Sequence, residues 1–369
     1  MLTAALEVEE NALETLNHFL RSLLEKRIVE ALLVPQRLTP GGDVAPTLVC
    51  DPERMAAADP LAPVMPVSSA KLVSDLTRTG NEKRLGAVMR SCEIRALIEL
   101  TKLRQAKLDN LIVIGVDCLG TYEMSDYAKL AASGASPGME LLAKAREGLL
   151  TPHQGYQFRA ACRMCERPIP EGADIAIGII GVDTDKEILL TTSDEMAERL
   201  GLTPAEVPPE REEAIQRLIS ERMAERDRAF ADFRSRVADI QGLLAEFSSC
   251  IRCHNCMVAC PICYCKECIF RTEVFDHPSP RYFKWAERKG VIRMPADTLI
   301  FHLTRLNHMA TSCVGCGMCE SACPNDIPLA TIFRAVGQKV QALFDYVPGR
   351  SLEEELPLAT FREDELEPR

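Results

Sequence analysis

Apolar positions along the chain change period several times, and the changes divide it. Residues 5–34 begin with the apolar spacing of an amphipathic helix and close on a short apolar run, "IVEALLV", which reads as a strand. The Pro/Gly-rich passage "PQRLTPGGDVAPTLV" then suits a loop or hairpin. From Arg84 onward short apolar runs alternate with helical ones. "RLGAVMR" is followed by the helix-periodic "SCEIRALIELTKLRQAKL", and "NLIVIGVD" reads as a buried parallel strand. "ADIAIGIIGVD", from Ala173 to Asp183, predicts another such strand, with "EILLTTS" following. Alternating strands and helices predict an α/β domain over residues 1–200.

Residues 201–249 are almost wholly helical in period. Ile215, Leu218, Met223, Phe230, Phe233, Val237, Ile240, Leu244 and Phe247 recur at three- and four-residue steps. The proline pair at 208–209 suits the helix start. A packed connecting helix with a solvated charged face is expected here. Residues 250–347 hold two cysteine motifs, and the interval between them includes helix-like sequence such as "PADTLIFHLTRLNHMATS". That interval is longer than a compact β-containing module needs, so a mainly helical domain is expected. Residues 348–369 are acidic and punctuated by proline, expected as an extended tail over the surface or onto a partner.

Composition narrows the function classes. The chain has 369 residues, 47% hydrophobic and 26% charged, ordinary for a soluble globular protein of two or three domains. No apolar run approaches the ~20 residues of a membrane span. The acidic, helix-periodic N-terminus lacks the basic start and cleavage site of a secretory signal. A cytoplasmic location is expected, with no direct membrane insertion. A net charge of −11 argues against nonspecific nucleic-acid binding. Sixteen cysteines in such a chain point to metal ligation rather than to a disulfide scaffold.

Cys250 to Cys268 reads "CIRCHNCMVACPICYCKEC", seven cysteines in nineteen residues. Its first part, and "CVGCGMCESACP" from Cys313, both follow C-x2-C-x2-C-x3-C-P, the run with which bacterial ferredoxins hold [4Fe–4S] cubes. The fourth cysteine of each such run ligates the other cube. The expected sets are therefore Cys250, Cys253, Cys256 and Cys323 for one cluster, and Cys260, Cys313, Cys316 and Cys319 for the other. Zinc would call for paired C-x2-C knuckles instead. Cys263, Cys265, Cys268 and Cys50 lie outside these sets. The trio is expected as reduced thiols around the first cube, supporting assembly or docking. Four further cysteines, Cys92, Cys118, Cys162 and Cys165, occupy three places in the α/β region. Cys92 and Cys118 follow predicted strands, where an open sheet places its ligand crevice. On spacing alone a third cube, or two structural thiols plus a redox or zinc pair, are both open.

"RLGAVMRSCEIRALIELTKL", "NLIVIGVDCLGTYEM" and "CRMCERPIPEGADIAIGIIGVD" together resemble the beta subunits of coenzyme F420-reducing hydrogenases and formate dehydrogenases. The resemblance covers roughly residues 1–200. It implies an α/β domain holding FAD and one [4Fe–4S] cluster, with Cys92, Cys118, Cys162 and Cys165 as that cluster's ligands. Arg90, Ser91, Gly120 and Thr121 are the candidate flavin contacts, by helix-start amides and close backbone approach. No G-x-G-x-x-G argues for NAD in a Rossmann crevice. The family would make the chain an electron-transfer subunit. It would link a hydride carrier, a deazaflavin coenzyme or NAD(P)H, to a formate dehydrogenase, a hydrogenase or a heterodisulfide-reductase-like module. The stretch from Cys250 to Cys268 is expected at the near end of that flavin-fed relay. The competing reading is a flavin-free electron wire. His153, His254, His277, His302 and His308 are scattered and expected to be structural, and no catalytic acid–base set stands out.

Overall fold

The computed structural model describes residues 1–38 and 43–359. In chain order the first elements are β1 (Leu2–Glu7), α1 (Ala12–Glu25), β2 (Ala31–Arg37), β3 (Val44–Val49), α2 (Ser69–Thr77), β4 (Leu85–Arg90), α3 (Ser91–Lys102) and β5 (Leu111–Val116). There follow α4 (Met124–Ala132), α5 (Pro137–Ala145), α6 (Ala160–Arg163), β6 (Ile175–Gly178), β7 (Glu187–Thr192) and α7 (Asp194–Leu200). The strands form one sheet in the order β1-β7-β6-β5-β4-β2-β3. β2, β4, β5 and β6 run parallel, and β3, β7 and β1 close the two edges antiparallel. The parallel centre follows from its sequence: β4 and β5 are apolar on both faces and are covered on both.

Two elements differ from the sequence expectation. β1 has the composition of a helix, Leu, Ala and Glu, yet pairs with β7 from Leu2↔Thr192 to Glu7↔Glu187. An available sheet edge overrides weak local propensity. β6 is four residues long rather than the full apolar run, because the backbone N–H groups of Ile179 and Ile180 donate to the Asp117 carboxylate at 2.9 and 3.0 Å. The proline-rich passage is a hairpin, with Pro46 on the edge strand β3 opposite Pro35, which lies past the stretch of β2 that pairs with β4, so a missing donor is tolerated at both; its tip, residues 39–42, lies outside the described residues.

After β7 the described chain contains helices and no strands. The long α8 (Glu210–Arg236) breaks at Val237 and is followed by α9 (Ile240–Glu246) and α10 (Asn255–Ala259). Then come α11 (Ser279–Lys289), α12 (Thr298–Met309), α13 (Met318–Ser321) and α14 (Leu329–Leu343). One sheet face packs on α1 through Leu16, Leu20, Ile114 and Ile177. The other carries Ala87, Met89, Val113 and Leu97, and its core runs without a break through Phe230 and Phe233 of α8 to Phe301, Ile332 and Phe333. The helical part therefore shares a core with the sheet. On α8 the expected Met223 is 37% exposed, and Arg222 is buried in its place.

The start of the tail is fastened down. Glu99 of α3, buried, accepts from the Tyr346 hydroxyl at 2.5 Å and from the Gly349 N–H at 2.8 Å, and Arg95 Nε donates to the Pro348 carbonyl at 2.9 Å. Residues 360–369 lie outside the described residues. Among the described residues no helix is long and apolar enough to cross a membrane.

Candidate metal centres

The C-terminal ends of β4 and β5 open onto a single narrow cavity. α3 starts directly from β4, so Cys92 stands in its first turn, and Cys118 follows β5 by two residues. Cys162 on α6 and Cys165 just after it complete a ring: all four line this cavity. The loop bearing Cys118 is held by its neighbour. Asp117, buried, receives the N–H groups of Ile179 and Ile180 and an ion pair from Arg211 at 2.7 Å. Arg222 reaches from α8 to donate to the Leu119 carbonyl at 3.1 Å. This is why an arginine, not the methionine beside it, faces inward.

Arg90, Ser91, Gly120 and Thr121 line the same cavity. The Arg90 guanidinium donates to the carbonyls of Ala62 and Val64 at 2.6 and 3.0 Å. Thr121 Oγ1 lies 3.1 Å from Cys162 Sγ and accepts from Arg159 at 3.3 Å. These residues stand around the four cysteines in the cavity wall, with the polar groups of Arg90 and Thr121 engaged by the protein.

Burial pushes the Cys118 thiol up to about 11, with Cys162 raising it further, and drives Cys92 well above the usual thiol range. Cys118, Cys165 and Cys316 contribute to the rise at Cys92. Buried, mutually close thiols with soft sulfur donors fit an iron–sulfur cluster, whose iron takes the place of the protons. Such a cluster supplies one-electron transfer.

In the helical part the structure brings the two motifs together crosswise. Burial raises the Cys256 thiol to about 11, and Cys250, Cys253 and Cys323 lie near enough to add to it. Burial raises Cys316 to about 12, and its thiol neighbours are Cys260 and Cys313; Cys319 is raised by burial and by Cys260, Cys316 and Cys313. The fourth cysteine of each motif thus faces the first three of the other. Both motifs use the same local turn, with positive φ two and four residues after the first cysteine: Arg252 (55°) and His254 (64°) in one, Gly315 (75°) and Gly317 (72°) in the other.

Cys316 also lines the cavity of Cys92, Cys118, Cys162 and Cys165. The set containing Cys316 therefore lies beside the α/β cysteines, and the Cys250 set lies beyond it. Of the Cys250–Cys268 stretch expected at the near end, Cys260 belongs to the set beside the α/β cysteines and Cys250, Cys253 and Cys256 to the one beyond. The reason is chain geometry: α8 carries the polypeptide past the cavity before the first motif begins, and the second motif folds back against α6. A Cβ on Gly317 would lie 2.3 Å from the Ala161 Cβ, so the approach there requires glycine. Arg159, buried, spans the junction, donating to Ser321 Oγ at 2.8 Å and to the Cys316 carbonyl at 3.0 Å. Arg334 of α14 holds the Cys162–Cys165 segment from the other side through the Met164 carbonyl and an ion pair with Glu166.

Two of the five histidines read as structural belong to these centres. His302 Nε2 lies 3.3 Å from Cys250 Sγ, with its ring stacked 4.1 Å from Phe247. His254 sits between Cys253 and Cys256 and packs on Phe301 at 4.8 Å. Arg305 also reaches a cysteine, donating from Nη1 to Cys256 Sγ at 3.0 Å. His302 and Arg305 are placed by α12, whose pairing with the first motif has no signal in the spacing. Of the remaining thiols, Cys263 is part-buried next to Cys260, with Cys265 and Cys268 close to it. Cys50 follows the edge strand β3 and is exposed.

Comparison with known proteins agrees with this division. Residues 82–202 match the family model for the C terminus of the "Coenzyme F420 hydrogenase/dehydrogenase, beta subunit", and residues 246–327 match "4Fe-4S dicluster domain". The chain is 27% identical over 353 residues to the F420-dependent formate dehydrogenase subunit beta of Methanocaldococcus jannaschii, covering 89% of each. It is 26% identical over 369 residues to the F420-dependent formate dehydrogenase 1 subunit beta of Methanococcus maripaludis, covering 91% of this chain and 90% of the relative. A chain of the F420-reducing [NiFe] hydrogenase complex from Methanosarcina barkeri aligns over 65% of this chain and 94% of its own, at 12% identity and a TM-score of 0.44.

Proposed function

We propose, for a chain that joins the beta-subunit domain of the coenzyme F420 hydrogenase/dehydrogenase family to a 4Fe-4S dicluster domain, that it is the electron-transfer beta subunit of an F420-dependent formate dehydrogenase. Three [4Fe–4S] clusters would stand in line: one on Cys92, Cys118, Cys162 and Cys165, one on Cys260, Cys313, Cys316 and Cys319, and one on Cys250, Cys253, Cys256 and Cys323. The observation that carries this reading is Cys316, a cysteine of the middle set that also lines the cavity of the first. Electrons then have a continuous path from the sheet's carboxyl edge to the outer motif, where Cys253 is exposed.

FAD and the hydride carrier belong to this reading through the family likeness. A flavin accepts a hydride and releases its electrons singly, which is what the line of cubes needs at its α/β end. The chain's own residues do the positioning. Asp117 and Arg222 fix the Cys118 loop, Arg159 and Gly317 set the distance to the middle centre, and the shared core excludes water. A cytoplasmic place and a separate partner that oxidises formate belong to the same proposal.

The second reading, a flavin-free wire, draws on the engagement of Arg90 and Thr121 within the cysteine cavity. Flavin and iron analysis of anaerobically purified protein separates the two. Flavin near one per chain with about twelve iron atoms, three cubes of four, supports the first. Twelve irons without flavin supports the second, and iron near zero defeats both.

A further inference from the structure

Arg305 on α12 is 4% exposed. Its Nη1 donates to Cys256 Sγ at 3.0 Å and its Nη2 to the Cys256 carbonyl at 3.1 Å, while Nε has no hydrogen-bond partner. No carboxylate pairs with it among the described residues. Its other neighbours are rings: the guanidinium lies 4.9 Å from the Phe333 centroid and 5.7 Å from that of Phe301. Cys256 belongs to the outer set of ligands, so Arg305 lies against that set.

A buried guanidinium that cannot lose its proton needs an anion close by, since an unpaired buried charge is strongly destabilising. A [4Fe–4S] cube held by four thiolates is anionic, and each reduction adds one negative charge. We propose that Arg305 is the fixed counter-charge of the outer dicluster cube, the one carrying Cys256. Lying against that ligand, it stabilises the cube's reduced form and keeps its potential high for passage of a single electron. It is a positioning and tuning residue: the electron moves between cubes, and no proton leaves the guanidinium. This rests on the reading above that the two cysteine sets hold cubes.

The test is a redox titration of the holoprotein, followed by electron paramagnetic resonance, alongside iron counting. Arg305→Met and Arg305→Lys are each compared with the parent. At unchanged iron content, Met shifts the potential of the Cys256 cube to a more negative value and leaves the α/β cluster where it was. Lys, which keeps the charge, stays closer to the parent. If Met does not hold its iron, Arg305→Gln removes the charge while keeping a hydrogen-bond donor, and the same negative shift is expected. Full iron with an unmoved potential of the Cys256 cube in the charge-free variant overturns the inference alone. Parent protein lacking iron in the dicluster region overturns the underlying reading, and the inference with it.

Discussion

At the scale of residues, the two cysteine motifs make the same turn with different side chains. Motif two has glycine at both left-handed positions, and motif one has Arg252 and His254. A non-glycine residue there costs about 1–2 kcal/mol. In motif one that cost is offset by the Arg252–Asp297 ion pair and the packing of His254 on Phe301. In motif two the Cβ of Ala161 on α6 leaves no room for a side chain at Gly317. Gly317→Ala is expected to lower stability by about 2 kcal/mol or more, read as a drop in thermal midpoint, whereas His254→Gly changes it by about 1 kcal/mol or less. Equal effects of the two would contradict this difference. Asp117→Ala leaves Arg211 half-buried without its partner and frees the Cys118 loop, so about 3–5 kcal/mol is lost. On the proposed three-cube reading, iron falls by about four atoms per chain while the dicluster's eight remain. The cysteine spacing pointed to the two dicluster sets, and the α/β set came only through the family resemblance; neither signal pointed to Asp117, Arg222, Arg305 or His302. Those residues act across the fold, and nothing local marks a buried cation or imidazole that turns toward a distant sulfur.

At the scale of elements, periodicity located the central strands and α8 because both bury apolar side chains at fixed steps. It failed at β1, where sheet pairing decides, and at the end of β6, where a single carboxylate takes the backbone donors. α11 is a separate case. Its residues have a strongly two-sided pattern, yet none is buried, and Phe283 is 69% exposed. The fold does not depend on that face. Phe283→Ser is expected to change stability by no more than about 0.5 kcal/mol, in contrast to Phe333→Ala on α14, a fully packed ring worth about 3–5 kcal/mol. Chemical denaturation of both variants checks the contrast, and a large loss from Phe283→Ser would mean that α11 packs on this chain after all.

For the whole molecule, the sequence suggested domains in series, whereas the structure shows the sheet and the dicluster region built on one core. Phe230 and Phe233 fill it from α8, Phe301 and Phe333 from the helical part, and the segment around Tyr346–Gly349 returns to α3. Chain order alone cannot reveal such a return, since it depends on contacts between residues more than two hundred positions apart. Fragments 1–200 and 250–359 made separately are therefore expected to expose apolar surface and aggregate, and a fragment that stays monomeric with cooperative unfolding would contradict the shared core. The same return brings Cys316 beside the α/β cysteines, which makes its set the middle one of the three proposed cubes. That order is tested most directly by electron paramagnetic resonance of the fully reduced protein, comparing the parent with a Cys118→Ser/Cys162→Ser variant. Loss of the α/β cluster should remove magnetic broadening from the middle cluster and leave the Cys250 cluster's signal unaltered; a changed Cys250 signal beside an unchanged middle one would contradict it.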